Sequence, residues 1–232
     1  MDKSERTGTP AAARLIDWSQ IDTVLLDMDG TLIDLNFDNT LWNSHLPEVY
    51  AQANKISTEQ ARELLFSHMR LNARTIKFYC LDYWAEFTQL DILQLHRDVA
   101  GLLRYRDGTE AFLQWLQTQP SRVLMTTNAH RDSVAIKDSH LDLLSYFDAV
   151  ISSHDYQQVK ETQEFWHTLI DNQSIDAKRA VFIDDNEAVL DAAAEFGISH
   201  VLCVASPDSQ RPPHTDSAHP MVHNLADLVP GA

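Results

Sequence analysis

The feature that most constrains this chain is a set of short, unbroken apolar runs, several of which stop at residues with chemical capability. Thr23-Val-Leu-Leu26 ends in Asp27-Met-Asp-Gly-Thr31, and Ala180-Val-Phe-Ile183 ends in Asp184-Asp185. Arg122-Val-Leu-Met125 runs into Thr126-Thr127-Asn128, while Ala149-Val-Ile151 and His200-Val-Leu-Cys-Val204 complete the set. Runs of this length without polar alternation are strands buried on both faces, which requires a parallel sheet covered by helices. The stretches between them supply the helices. Thr109–Gln119 keeps Phe112, Trp115 and Leu116 on one face before Pro120, and Glu187–Phe196 stops at Gly197, which suits a left-handed C-terminal position. The pattern predicts a Rossmann-like α/β core.

Between the first and second runs lies a gap of about ninety residues, too long for an ordinary crossover. Ser57-x-x-Gln60 resembles a capping box leading into Ala61, Leu64, Leu65, His68 and Met69 at helical spacing, and Thr75–Phe87 and Ile92–Leu103 continue in the same manner. An inserted helical subdomain is therefore expected over residues 36–104. It divides the core into 21–35 and 105–232, with residues 1–20 as a loose arm from which Trp18 reaches the body. Gly108, after Asp107, marks the re-entry. Ser206–Met221, rich in Pro, Ser and His, is expected to be irregular, and a short amphipathic piece, Asn224–Val229, follows.

Composition narrows the function. Of 232 residues, 44% are hydrophobic, enough for a sizeable core. The 34 acidic against 18 basic residues leave a net charge of −16, which repels nucleic-acid backbone and argues against a polymer-binding module. A small phosphate ester remains compatible if a cation sits in the site. No apolar run approaches the ~20 residues of a membrane span, and no signal-like h-region is visible, so neither membrane insertion nor secretion is expected. Cys80 and Cys203 form no C-x-x-C and read as buried thiols of a reduced, cytoplasmic protein.

The informative carboxylates all fall at the C-terminal ends of apolar runs, the edge where open parallel sheets bind ligands. An Asp-Gly pair alone is an ordinary turn. Two acidic pairs closing two strands are different, because crowded carboxylates raise one another's pKa and destabilise the fold unless a cation joins them. A hard divalent ion with oxygen ligands, Mg²⁺ for phosphate chemistry, resolves that repulsion.

These motifs, in this order, resemble the haloacid dehalogenase-like (HAD) phosphohydrolases. Asp27-Met28-Asp29-Gly30-Thr31 matches the family's Asp-x-Asp-x-Thr, and Thr126-Thr127-Asn128 its strand-ending hydroxyl, with Thr127 the better match. Lys160 matches the family's lysine, and Phe182-Ile-Asp-Asp-Asn186 with Ala192-Ala-Ala194 its acidic pair before an Ala-rich helix. One departure concerns the lysine: Val159 and Glu161 flank it where most members have Gly and Pro. Within the superfamily, Val24–Thr31, Tyr79-Cys-Leu-Asp-Tyr-Trp84, Thr127-Asn-Ala-His130, Lys160-Glu161 with Gln163 and Trp166-His167, and Phe182–Asp185 are similar to bacterial GMP/IMP nucleotidases.

The resemblance implies a HAD core with a C1-type helical cap inserted after the first strand, and a Mg²⁺-dependent phosphomonoesterase. Asp27 would be the nucleophile and form an aspartyl-phosphate. Asp29 would serve as acid and base, kept protonated by the crowding of Asp27 and an anionic substrate. Thr127 and Lys160 would cradle phosphoryl oxygens, and Asn128 would help orient the group. Metal ligation falls to Asp27, the Asp29 carbonyl, Asp185 and, directly or from behind, Asp184. The implied substrate is a small phosphomonoester, a purine ribonucleoside 5′-monophosphate, with Tyr83 and Trp84 lining or supporting the base pocket.

Rival readings are a phosphatase or mutase for a sugar phosphate or phosphoglycolate, and a non-catalytic binding protein of the same fold. A dehalogenase would not need the acid at Asp29. His214, His219 and His223 sit in the Pro-rich tail and read as solvated bystanders. Trp42, Tyr79, Tyr83 and Trp84, at helical spacing, suit a core as well as a base.

Overall fold

The computed structural model describes residues 15–231. Most of the expected N-terminal arm, residues 1–14, lies outside them. Six strands form one parallel sheet: β1 Thr23–Leu26, β2 Arg122–Thr127, β3 Ala149–Ser152, β4 Ala180–Asp184, β5 His200–Val204 and β6 Met221–Val222. Their spatial order is β3-β2-β1-β4-β5-β6, so β1 lies between β2 and β4. The five apolar runs are all strands. β6 is an addition: Met221, the last residue of the expected irregular tail, and Val222 pair with Cys203 and Val204. A two-residue strand carries too little pattern to be read in advance.

The sheet is covered on both faces because side chains alternate along each strand. Val24, Leu26, Met125 and Ile183 pack with Phe112 and Leu116 of α7 (Thr109–Leu116) and Val134 of α8 (Arg131–Leu141). Leu25, Leu124 and Phe182 face the opposite way. They meet Trp166 and Leu169 of α10 (Gln163–Gln173) and Leu190 of α11 (Glu187–Phe196), with α9 (Ser153–Tyr156) following β3. Each fully buried Leu or Phe contributes roughly 1.5–3 kcal/mol. Trp18 does reach the body, donating its indole N–H to the Leu228 carbonyl at 3.0 Å and meeting Trp115 edge-on.

The ninety-residue gap is helical. A continuous run holds α1 (Asn36–Thr40), a π-helical turn (Leu41–His45) and α2 (Leu46–Asn54). It continues through α3 (Thr58–Asn72), α4 (Ile76–Tyr79), α5 (Leu81–Thr88) and α6 (Ile92–Asp98). The capping box at Ser57 and Gln60 is present on both sides. The single helix expected over Thr75–Phe87 instead breaks at Cys80, where the Trp84 indole reaches back to the Phe78 carbonyl at 2.8 Å. Phe37, Leu41, Leu65, Leu81, Trp84 and Leu95 form an apolar cluster separate from the two that cover the sheet.

The chain leaves and re-enters the sheet layer through a narrow neck. Ile33 bridges Tyr105 antiparallel, and the Asp34 N–H donates to the Arg104 carbonyl at 3.0 Å. The Arg104 and Asp34 side chains pair at 2.7 Å.

Candidate active site

Strand register assembles the site. Leu26 is level with Met125 on one side and Ile183 on the other, so Asp27, Thr126 and Asp184 emerge next to one another. This is also where the strand order reverses, between β1 and β4, and where such sheets open a crevice. After Asp27 the chain must turn at once beneath the acidic pair of β4. Gly30 makes this possible: its φ is +85°, and a Cβ there would lie 2.5 Å from Asp185 Oδ2.

Asp27 is 5% exposed. The Lys160 ammonium lies 2.5 Å from its Oδ1 and 2.7 Å from Asp184 Oδ2, and donates to the Thr126 carbonyl at 3.0 Å. Burial pushes the Asp27 carboxyl up to about 7; Lys160 opposes the rise, while Asp184 and Asp29 add to it. Burial disfavours charge on Lys160, but the two carboxylates outweigh it and hold that ammonium above the ordinary lysine range. Burial likewise raises Asp184 against Lys160. Asp185, half-buried, is raised well above the carboxylate range by its surroundings and by Asp184 and Asp27.

Carboxylate oxygens of Asp27, Asp184 and Asp185 lie within 4.8 Å of one another. One ammonium serves three acids, and it reaches only two of them. An all-oxygen donor set in charge deficit fits a hard divalent cation such as Mg²⁺.

A cavity of about 380 Å³ opens over these groups, with Asp27, Asp29, Thr127, Asn128, Lys160, Asp184 and Asp185 on the sheet side. Trp42, Asn43, Tyr79 and Trp84 close it from the insertion. Thr127 accepts the Ala129 N–H at its hydroxyl oxygen, which leaves the hydroxyl hydrogen as a donor.

The structure adds detail to three expectations. Asn128 is occupied as a brace: its amide donates to Glu161 at 3.0 Å and its oxygen accepts the Lys160 N–H at 3.0 Å. It braces the Lys160 backbone from the cavity wall, with the second amide hydrogen still available there. Tyr83 does not line the cavity, because α5 turns it onto His68, with which it stacks and hydrogen-bonds at 2.8 Å. The neighbour of Asp29 is a cation as well as the expected anions: Lys137 Nζ stands 2.6 Å from its Oδ1.

Lys137 was not singled out in the sequence. Wholly buried in α8, it also reaches both oxygens of Asp38 on α1, at 2.9 and 3.0 Å, and lies over the Phe37 ring. Burial opposes its charge, but Asp29 and Asp38 raise its pKa above the ordinary value. Burial and then Asp29 lift Asp38 to about 7, with Lys137 opposing. The available signal was a lysine sharing a helix face with Ser133 and Val134, where a solvated lysine has no place. Glu161, unusual beside the family's lysine, also acquires a physical role. It accepts the Tyr79 hydroxyl at 3.0 Å and the Asn128 amide, tying insertion to core at the cavity wall.

Comparison with known proteins points one way. Residues 21–197 match the model of the haloacid dehalogenase-like hydrolases. The chain is 38% identical over 215 residues to the GMP/IMP nucleotidase YrfG of Escherichia coli K12, covering 93% of this chain and 97% of that protein. The same figures hold for the Shigella flexneri protein of that name. Among solved structures, a HAD phosphatase from Thermococcus onnurineus superposes with a TM-score of 0.74 at 20% identity, covering 90% of this chain and 96% of that one. The L-2-haloacid dehalogenase of Xanthobacter autotrophicus superposes at 0.62 and 17%, with the same coverage; at such identity the likeness is one of fold.

Proposed function

The chain belongs to the haloacid dehalogenase-like hydrolases and is a phosphohydrolase of that family; from that premise we propose that it is a Mg²⁺-dependent 5′-nucleotidase for purine ribonucleoside monophosphates. The observation that carries the chemistry is the buried Asp27 carboxylate, paired to Lys160 at 2.5 Å and facing the cavity. A carboxylate held out of water by a single ammonium is a nucleophile kept both oriented and poorly solvated.

Asp27 attacks phosphorus with one oxygen, and the phosphorus–ester oxygen bond breaks as the Asp27–phosphorus bond forms. Asp29 gives a proton to the departing 5′ oxygen, then takes one from the water that cleaves the aspartyl-phosphate. The Thr127 hydroxyl donates to a phosphoryl oxygen, while Lys160, whose three N–H bonds go to Asp27, Asp184 and the Thr126 carbonyl, supplies positive charge beside the phosphoryl group as its charge builds. Asp27, Asp185, Asp184 and the Asp29 carbonyl would hold Mg²⁺. When bound, the ion supplies positive charge where the dianionic phosphoryl group meets the acidic cluster. We read the helical insertion over residues 36–104 as the cap, whose closure excludes water from the cavity.

The substrate class draws support from two directions. The relatives that match over nearly the whole chain are nucleotidases acting on GMP and IMP. The insertion side of the cavity carries Trp42, Trp84 and Tyr79, flat surfaces suited to a purine, beside the Asn43 amide. The test is phosphate release across a panel of nucleotides and sugar phosphates, with and without Mg²⁺. Purine ribonucleotides should lead in kcat/KM. A sugar phosphate or phosphoglycolate at the head of the panel would overturn the substrate reading while leaving the chemistry standing.

A further inference from the structure

A second group of donors meets on the seam between the insertion and the sheet, separate from the carboxylate cluster, with one member, His130, also on the wall of the catalytic cavity. Cys80 stands at the break between α4 and α5, His130 is the N-cap residue of α8, and His154 lies in α9 just past β3. The Cys80 sulfur and one ring nitrogen from each histidine lie within 4.8 Å of one another, and all three residues are half-buried. Cys80 is a free thiol. The two imidazoles meet edge to face, with centroids 4.8 Å apart.

One atom in this group is in an expensive position. His154 Nε2 is buried and has no hydrogen-bond partner among the described residues. A buried polar atom left alone costs about 1–3 kcal/mol, and such atoms in native folds point to an ion, a water or a function. Burial, and then the charge of His130, lower the His154 pKa and outweigh the Tyr79 backbone, which faces the ring and raises it, so the imidazole stays neutral and keeps a lone pair at neutral pH.

Two imidazoles and a thiolate form the donor set of a borderline-soft transition ion and suit Mg²⁺ poorly. We propose that Cys80, His130 and His154 form a binding site for a divalent transition ion of the Zn²⁺ class, which fastens the insertion to the core beside the catalytic cavity. Two ligands come from the sheet side and the third from the insertion. Bond lengths of about 2.0–2.3 Å put the corners of a filled tetrahedral site about 3.3–3.6 Å apart. A filled site would hold Cys80, and with it the adjacent cavity-lining Tyr79, against the core. The thiol proton leaves to solvent as the sulfur binds.

The ring of His130 has the support that such a ligand needs. Its Nδ1 now accepts the Asp132 N–H at 3.3 Å, and the Asp132 carboxylate stands 3.6 Å from the same nitrogen. When Nε2 binds an ion the proton moves to Nδ1, and that carboxylate becomes its acceptor. The fourth position stays open, with the exposed Asp82 carboxylate 3.9 Å from His130 Nε2.

The site and the phosphatase chemistry are separable, because the ligands are soft and the catalytic donors are hard. The experiment is a Co²⁺ titration of the full chain in excess Mg²⁺, followed by absorbance, with Zn²⁺ as competitor. The expected result is one Co²⁺ per chain with a thiolate-to-cobalt charge-transfer band in the near ultraviolet, displaced by Zn²⁺. Cys80→Ser should abolish the band. His154→Gln should weaken binding by at least ~10-fold, since a three-ligand site loses a third of its donors. Circular dichroism of both variants guards against misfolding, and both should keep Mg²⁺-dependent turnover. Zn²⁺ should raise the Tm of the wild type but not of Cys80→Ser. Absence of the band in the wild type, its persistence in Cys80→Ser, or Co²⁺ binding only where Mg²⁺ competes would overturn the proposal.

Discussion

At the scale of single residues, the two aspartates of the first motif face different cations. Asp27 lies against Lys160 and Asp29 against Lys137, so the groups read as nucleophile and as acid are held independently. Asp27→Asn keeps the shape and removes the attacking charge; turnover should fall at least ~10³-fold with the fold intact by circular dichroism. Retention of a tenth of the activity would contradict an aspartyl-phosphate route. Lys137→Met should act through Asp29. It should slow hydrolysis of a nucleoside monophosphate, whose leaving alkoxide needs a proton, at least ~10-fold more than that of p-nitrophenyl phosphate, whose leaving group departs without one. Equal losses in kcat on both substrates would make Lys137 a structural ion pair only. The aspartates were legible because they interrupt apolar runs at fixed spacing. Lys137 was not, because its partners Asp29 and Asp38 lie about a hundred residues away and only folding brings them within reach.

Among the elements, the strands and the cavity's sheet side were readable, whereas the insertion was readable only as helix. Burial on both faces leaves an unbroken apolar run, but nothing in a 3.6-residue period says which way a particular aromatic turns. Tyr83 and Trp84 are adjacent, yet one stacks on His68 and the other lines the cavity. The π-helical turn at Leu41–His45 widens the helix where Trp42 and Asn43 meet the cavity, and no sequence pattern announced it. Trp42→Ala should raise KM for GMP and IMP by about 10-fold, as lost stacking of roughly 1–3 kcal/mol implies, with little change for p-nitrophenyl phosphate. Tyr83→Ala should lower Tm without that selective change, and a selective KM effect there would restore it to the base pocket. The insertion also carries a buried titrating group. His96 on α6 is 1% exposed, donates from Nδ1 to the Ile92 carbonyl at 2.8 Å, and is pushed down to about 4 by burial. Its folded pKa lies below its ordinary value of 6.5, so its contribution is complete above pH 6.5 and is lost as pH falls toward 4. The full loss is about 3 kcal/mol. Unfolding titrations of wild type and His96→Gln should show their stability difference shrinking across that window, and a parallel pair of curves would refute the assignment.

Across the whole molecule, charge and topology work against each other at one edge of the sheet. The parallel order brings three carboxylates together in a chain already at −16, and Lys160 offsets only part of that repulsion. Mg²⁺ should therefore raise Tm relative to EDTA-treated protein, by the equivalent of about 2.7 kcal/mol at a hundredfold excess over Kd. Asp185→Ala should blunt the shift more than it harms the metal-free fold. Asp184→Ala should do the reverse, because it strands part of a buried ion pair. No Mg²⁺ effect on thermal unfolding would count against the carboxylate cluster as its site. The neck at Ile33 and Tyr105 lies beside the limits of the insertion expected from the sequence, but its pairing could not be read there, since it joins residues some seventy positions apart. Its consequence is evolutionary. A lineage that lost or exchanged the stretch between those residues would inherit two ends already paired, a finished scaffold and a loaded aspartate. On the function proposed above, recombination at that one place would change which molecules are admitted while leaving Asp27, Asp29 and Lys160 in place, with Asp38, a partner of Lys137, the one member of the charge network to be replaced.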